Sequence, residues 1–495
     1  MKKNLGKEII SLSLLFIITL PLYFIADGFN KYRSLIQAGT AAYYFLICSG
    51  ITFLLYLLLR IKLSKYKSSL ITIWIVFVFL FFRGIINQFV FTPKMYVLNY
   101  PMYYIPFFGT ATILFLIFVF RTAEKILAKH LLFLNSLFIV LLITEIIKFY
   151  VPALHREIKL IQNDKIGFRK VTLENKPSVF IILMDEYSGF NSLEKYCNYK
   201  NDDFKNALIK RGFFVALNAN SNYNLTWLSC LSLFEMDYIK NQSKDELAHR
   251  SIYGKAAKAI EENNTVDFFK QNGYSIINNS FFKFRAGTND QELLHPIEND
   301  LMTENTFITL AQHGLFNNIP SNKIQQLLNT VNAHHNNYNE RTWQLLYQSI
   351  RQTDTPAFVY THFFIPHAPY LRDKFGNRKS FKTIHQKVKH NHKAYIEYLE
   401  FANRELLKIT DSIKAVVKNP VIVITSDHGN RNVKNRDRKL DYSNFIAVYK
   451  QDRNYEGFTD STCTVNLFRI LLNNTFSQNL PLLENKKIDV AKGHL

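Results

Sequence analysis

Four short segments of this 495-residue chain carry side chains that could act together. The apolar run 420–425 ends in Ser426-Asp427-His428-Gly429, and the run 178–184 ends in Asp185-Glu186. A carboxylate and an imidazole side by side form a ligand pair for zinc and other first-row metals. Thr226 opens a helix-like stretch whose apolar positions include Leu228, Leu231 and Phe234, with Ser229 and Ser232 three residues apart. A hydroxyl at a helix N-terminus lies at the positive end of the macrodipole, among N–H groups that favour an adjoining oxyanion. If the hydroxyl also touches a cation, its pKa falls and it becomes a usable nucleophile. The competing reading is a plain helix cap, with Ser221 a rival for that place.

The fourth segment, YTHFFIPHAPY, carries His362 and His367 on a proline-stiffened loop. His367 could contact substrate phosphate oxygens, protonate a leaving group or ligate a second metal. His362 reads either as a substrate contact or as a hydrogen-bonded structural histidine. Arg431, Arg436 and Arg438 follow the Asp-His pair and could bind an anionic substrate, although a solvated basic loop has the same composition.

Such groups meet only if the elements bearing them end at one edge. The runs 178–184, 357–363 and 420–425 are short, apolar and rich in β-branched or aromatic residues, as buried strands are; 273–278 and 444–449 read as further strands. Helical patterns fall at 203–211, 303–312, 323–332, 340–352 and 385–417. Alternating strands and helices predict an α/β fold with a mostly parallel central sheet covered by helices on both faces. Ligands of open α/β sheets bind beyond the carboxyl ends of the strands, where Asp185, Glu186, Asp427 and His428 fall. This domain is expected over 177–495, after a polar juxtamembrane linker over 151–176.

The first 150 residues have another character. The chain is 48% hydrophobic and 15% aromatic, and the excess lies in apolar runs at 9–26, 38–59, 70–91, 102–120 and 131–147. Crossing a bilayer core takes about 20 residues of helix, so five transmembrane helices are expected over 1–150. Cations cluster before the first run (Lys2, Lys3, Lys7), between the second and third (Arg60, Lys62, Lys65, Lys67) and between the fourth and fifth (Arg121, Lys125, Lys129). The positive-inside rule then puts the N-terminus in the cytoplasm and everything after Lys148 outside. The net charge of +21 reads as membrane anchoring and attraction to anionic lipid, with no nucleic-acid partner. Cys48 lies in the second run, which leaves Cys197, Cys230 and Cys463 outside, an odd number that allows at most one bridge.

Taken in order, the I-L-M-D-E strand end, the N-Y-x-x-T-x-x-S segment, the H-x-x-x-P-H-x-P-Y loop and S-D-H-G resemble the sulfatase-like branch of the alkaline phosphatase superfamily. With its five-helix N-terminal domain the chain is similar to the membrane-bound phosphoethanolamine transferases and lipoteichoic acid synthases, which act on phosphoethanolamine and phosphoglycerol. The resemblance implies that Asp427 and His428 ligate a metal, with Asp185 or Glu186 as a third ligand. It implies that Thr226 attacks phosphorus, becomes phosphorylated and completes the coordination, and that His367 contacts the transferred group or the leaving oxygen. One divalent ion is expected: zinc for phosphoethanolamine transfer, manganese or magnesium for phosphoglycerol transfer.

The resemblance also implies a multi-pass protein of the bacterial cytoplasmic membrane with its catalytic domain extracytoplasmic. It would move a headgroup from a membrane phospholipid to an envelope glycan, lipid or polymer. True sulfatases need C-x-P-x-R or S-x-P-x-R, whereas Cys230 opens C-L-S-L-F, which speaks against sulfate-ester hydrolysis. The multi-cysteine pattern of many phosphoethanolamine transferases is also missing. The alternatives are a membrane-anchored phosphodiesterase, a non-catalytic binding protein that keeps the fold and, last, a transporter, for which only Arg83 lies well inside a run.

Overall fold

The computed structural model describes residues 14–31, 38–89, 101–150, 166–240, 251–285, 292–294, 324–352, 355–379, 392–431 and 438–488, with 242, 247 and 490 besides. The chain divides into two compact units, with the first boundary after Glu157.

The N-terminal unit is helical: α1 (Phe16–Lys31), α2 (Ala38–Arg60), α3 (Lys65–Phe89), α4 (Pro101–Arg121) and α5 (Glu124–Tyr150). Each expected apolar run falls on one of them, although the first run begins and the third ends outside the described residues. Among the described residues two helices, over Ala41–Arg60 and Glu124–Tyr150, are long and apolar enough to cross a membrane; Phe16–Asn30 and Pro106–Arg121 are apolar but shorter. The bundle buries Phe16, Leu20, Leu70, Leu127 and Leu131 inside while α2 exposes Leu46, Ile51, Leu54 and Leu58. Arg83 lies on α3, and its side chain is outside the described residues.

The second unit is built on a seven-stranded sheet in the order β2-β7-β6-β1-β5-β3-β4. Its strands are β1 (Val179–Met184), β2 (Phe213–Ala216), β3 (Ser275–Asn279), β4 (Glu292–Leu294), β5 (Ala357–Phe363), β6 (Val421–Thr425) and β7 (Ile446–Tyr449). β1 pairs in parallel with β5 on one side and β6 on the other, and β3 continues the parallel set. β7 runs antiparallel to both β6 and β2, so the sheet is mixed rather than purely parallel.

Strand alternation explains why both faces are covered. Val179, Ile181 and Leu183 enter one core and Phe180, Ile182 and Met184 the other, all buried. The first core is closed by α8 (Thr226–Glu235), α9 (Ser251–Glu261), α10 (Asn264–Gln271) and α13 (Thr464–Phe476); the second by α6 (Phe190–Cys197), α7 (Asp202–Lys210), α11 (Ile324–Arg351) and α12 (His392–Val416). The patterns at 323–332 and 340–352 are one continuous helix, α11, because the Asn- and His-rich stretch between them holds neither proline nor glycine. The helix expected at 303–312 lies outside the described residues, as does 385–391 of the helix expected at 385–417.

The described part of the expected linker, from residue 166, packs against this unit. Val171 is buried and donates its N–H to Asn272 Oδ1, and Arg169 N–H donates to Gln478 Oε1. All four cysteines are free, so the one bridge that was open does not form.

Candidate metal and phosphoryl-transfer centre

Parallel pairing of β5, β1 and β6 brings their carboxyl ends to one edge, with Leu183 opposite both His362 and Thr425. Asp185 emerges beside Asp427 and His428, 242 positions earlier than Asp427 in the chain. Ligand atoms of these three buried residues lie within 4.8 Å of one another.

The donor chemistry of this group fits a divalent cation. Asp185 Oδ1 and Asp427 Oδ2 are buried carboxylate oxygens with no hydrogen-bond partner. His428 Nδ1 lies 3.0 Å from the Gly429 carbonyl, which fixes its proton there and leaves Nε2 with a lone pair. That lone pair faces Asp427 Oδ2 at 3.1 Å, an arrangement that repels unless a cation or proton lies between. Burial and the charge on Asp185 together push the Asp427 carboxyl above its ordinary range. Asp185, Asp427 and His428 are therefore the residues that would hold the metal.

Thr226 is the first residue of α8, not its cap: the N-cap is Leu225, which makes no side-chain capping bond. Thr226 Oγ1 instead lies 3.3 Å from His428 Nε2. Ser221 does not cap the helix either, since its hydroxyl donates to the Tyr223 carbonyl. Ser229 Oγ donates to the Asp427 carbonyl, tying α8 to the end of β6. Ser232 is occupied by the Asp237 carbonyl.

Glu186 takes a different direction from its neighbour. Its φ is 60°, a left-handed conformation that costs a non-glycine residue about 1–2 kcal/mol and is held here from both sides. Its N–H donates to Asp427 Oδ1, and its carbonyl accepts from the Tyr395 hydroxyl. The Glu186 side chain leaves the metal group and accepts from Arg431 Nε at 2.9 Å, with His367 Nε2 3.9 Å away. Of the two acidic residues left open as the third ligand, the geometry places Asp185 in the metal group and Glu186 in an adjoining Arg-His cluster. Burial opposes its ionisation, but His367 and Arg431 outweigh burial and hold the Glu186 carboxyl below its usual range.

Arg431 is therefore not a solvated loop residue: its side chain is 22% exposed and locked to a buried carboxylate. Arg436 and the side chain of Arg438 lie outside the described residues. Replacing Arg431 by Leu removes the guanidinium that lies 2.9 Å from the buried Glu186 carboxylate, and should cost about 3 kcal/mol of stability by urea unfolding; a change within about 0.5 kcal/mol would show the pair to be a dispensable surface bridge.

The two histidines separate as well. His362, expected among substrate contacts, is fully buried, walled by Phe281 and Phe282, and its Nε2 lies 3.9 Å from Asp185 Oδ2. The Tyr360 hydroxyl meets its Nδ1, so the ring is held inside the fold with Nε2 toward Asp185. His367 is 31% exposed, and the peptide bonds before Pro366 and Pro369 are both cis. Burial lowers its pKa, but Glu186 and Asp185 more than reverse this, so it stays protonated to higher pH than a free imidazole.

Gly429 is required by space rather than by a left-handed turn. A Cβ there would collide with the Leu440 carbonyl and lie 2.8 Å from that of Ser443. Two partners escaped sequence reasoning, Tyr395 behind Glu186 and Asn444 beneath Ser426; both act across long separations that leave no local signal.

Among solved structures the chain is similar to the C-terminal periplasmic domain of EptC from Escherichia coli in complex with zinc (11% identity over 63% of this chain and 85% of that one, TM-score 0.38). It is also similar to the corresponding domain of phosphoethanolamine transferase EptC from Campylobacter jejuni (12%, 63% and 92%, TM-score 0.38). A third is phosphonate monoester hydrolase of Agrobacterium radiobacter (12%, 61% and 74%, TM-score 0.36). No curated protein matches the chain. The Sulfatase family model matches residues 179–471, from the first residue of β1 into α13, and the chain belongs to that family.

Proposed function

We propose that the protein is a membrane-anchored, metal-dependent phosphotransferase that moves a phospholipid headgroup through a phospho-Thr226 intermediate to a hydroxyl of an envelope glycan, lipid or polymer. The observation that carries this reading is the Thr226 hydroxyl at the N-terminus of α8, 3.3 Å from the inward nitrogen of His428, in a site where Asp185 Oδ1 and Asp427 Oδ2 are buried without a hydrogen bond. A divalent ion held by Asp185, Asp427 and His428 would supply Lewis-acid stabilisation of charge on phosphoryl oxygens. Zinc suits the mixed nitrogen and oxygen donors, with manganese or magnesium as the other candidates.

The residues of the chain do the rest. Thr226 Oγ, its proton passed to solvent, forms a bond to phosphorus as the P–O bond to diacylglycerol breaks, and it leaves as the same oxyanion when the acceptor displaces it. The N–H groups opening α8 face the growing negative charge. His367, kept protonated by Glu186, gives its proton to the departing oxygen. In the second half it takes a proton from the acceptor hydroxyl, which attacks phosphorus and frees Thr226. The apolar outer surface of α2 suits a bilayer, and a five-span anchor with a cytoplasmic N-terminus would confine enzyme and lipid donor to one plane.

The test is to supply purified full-length protein with phospholipids labelled in different headgroups and to locate the label by mass spectrometry. Label on Thr226, chased by an acceptor glycan, supports transfer; label released to water with or without acceptor identifies a phosphodiesterase. Absence of both phospho-enzyme and bound metal would reduce the domain to a binding protein.

The His367 assignment predicts a pH profile. The raised pKa keeps the acid form available at neutral pH, so the rate should fall as pH rises through that value. The carboxylate contributing most to the rise is Glu186, which lies outside the metal group. His367→Gln should lower turnover by roughly 100-fold or more and flatten this alkaline limb; an unchanged profile removes His367 from the proton transfer.

A further inference from the structure

Four residues before Thr226, Asn222 is fully buried and both ends of its amide are in use. Its Oδ1 accepts from the Thr464 hydroxyl at 3.0 Å and from the Val465 N–H at 2.8 Å. Cys463, the N-cap of α13, makes no side-chain capping bond, so Asn222 caps that helix from another part of the chain. Its Nδ2 donates to the Lys486 carbonyl at 2.8 Å and to the Tyr238 hydroxyl at 2.9 Å. One side chain thus joins the loop before the nucleophile to α13 and to the segment 484–488.

That segment is a strap held at both ends. At one end the Tyr238 hydroxyl donates to the Glu484 carbonyl at 2.7 Å and accepts from the Lys486 N–H at 2.9 Å. At the other, the Ile488 N–H donates to the Asn222 carbonyl at 2.9 Å, and the Ile488 carbonyl accepts from the Tyr442 hydroxyl at 3.0 Å. Tyr442 closes the 3-10 turn Arg438–Tyr442, whose Asp441 carbonyl accepts from the Gly429 N–H at 3.0 Å. The Tyr442 carbonyl accepts from the Ser221 N–H at 2.8 Å. The strap is therefore bonded to the loop that ends in Thr226 and, through Tyr442, to the turn that follows His428.

We propose that Asn222 and the strap 484–488 position the nucleophile, holding the backbone before α8 so that Thr226 Oγ1 stays 3.3 Å from His428 Nε2. Ser229 ties the second turn of α8 to the end of β6, but the first turn has no side-chain cap and takes its place from the loop that enters it. Misplacing a reacting group by about 1 Å can cost about 100-fold in rate, so bonds remote from phosphorus can govern turnover. The inference rests on reading Thr226 as the nucleophile, and it adds what keeps that hydroxyl in register with His428.

The experiment uses full-length protein and measures single-turnover phosphorylation of Thr226, KM, metal content and amide hydrogen exchange. Asn222→Ala should slow phosphorylation roughly 100-fold while KM stays within about twofold and metal content is unchanged. Tyr238→Phe keeps the cap on α13 and removes the strap's hydroxyl; it should slow phosphorylation roughly tenfold, and it carries the test if the alanine variant does not fold. Asn222→Asp keeps the acceptor bonds to α13 but cannot donate to the Lys486 carbonyl, so it should recover melting temperature relative to alanine without recovering the rate. Exchange should rise over 223–228 and stay at the wild-type level in β1 and β6. A purely structural role would lower the melting temperature and leave the phosphorylation rate of the folded, metal-loaded protein alone. That result, or phosphorylation within about threefold of wild type in Tyr238→Phe, overturns the positioning role and leaves the nucleophile standing. Exchange that responds as expected in a protein whose wild type never forms phospho-Thr226 keeps the strap's hold on the loop and sinks the transferase.

Discussion

Thr226→Ala is expected to lower turnover at least 1,000-fold, in keeping with the roughly 10⁴–10⁶ lost when nucleophilic machinery is deleted elsewhere, and to remove every trace of phospho-enzyme. The loss should be chemical rather than structural. Thr226 is the first helical residue, the capping position belongs to Leu225, and no side-chain cap is lost on truncation. Alanine is also the best helix former, so α8 should keep its place, with its own Leu231 and Phe234 in the core. Thr226→Ser keeps the hydroxyl and should restore both phosphorylation and part of the rate. The measurement pairs steady-state turnover with intact-protein mass after a burst of substrate. Turnover by the alanine variant within tenfold of wild type would take the nucleophile away from Thr226.

The strands were largely legible because their signal is local. The run 421–424 is apolar throughout, and both of its faces are buried as an interior parallel strand requires. Four residues were too few to reveal β2, whose Phe213–Ala216 segment pairs only with β7. α13 showed no period because Val465, Leu467, Phe468, Ile470, Leu471 and Leu472 are buried on all sides. In the site, Asp185, Thr226, Asp427 and His428 could be named from their places at strand and helix ends. Their division of labour could not. Nothing in Asp185-Glu186 says which carboxylate turns toward the metal group, since that depends on the left-handed φ of Glu186 and on Arg431, which is 245 positions away. The burial of His362 depends likewise on Phe281 and Phe282, aromatics from another segment.

Asp427→Asn should move activity and metal-free stability in opposite directions. Asparagine keeps the shape and an oxygen that can accept from the Glu186 and His428 N–H groups, as Asp427 Oδ1 does at 3.1 and 2.8 Å. It removes the charge that Asp427 would bring to a cation held with Asp185 and His428, so metal content and turnover should both collapse. In metal-free protein the same charge is a burden, because Asp427 is buried near Asp185 and its pKa is raised. A carboxyl whose folded pKa lies above its unfolded value opposes folding: the cost is absent below the unfolded value, grows as pH rises between the two, and is fully present above the folded one. Metal-free Asp427→Asn should therefore melt higher than metal-free wild type at neutral pH, and the advantage should shrink on acidification. With metal at about 1,000 times its Kd, wild type should gain about 4 kcal/mol that chelation removes, whereas the variant should not respond to the chelator. A variant that melts below metal-free wild type at neutral pH would show that the carboxylate cluster is stabilised by the protein's own hydrogen bonds and is not poised for a cation.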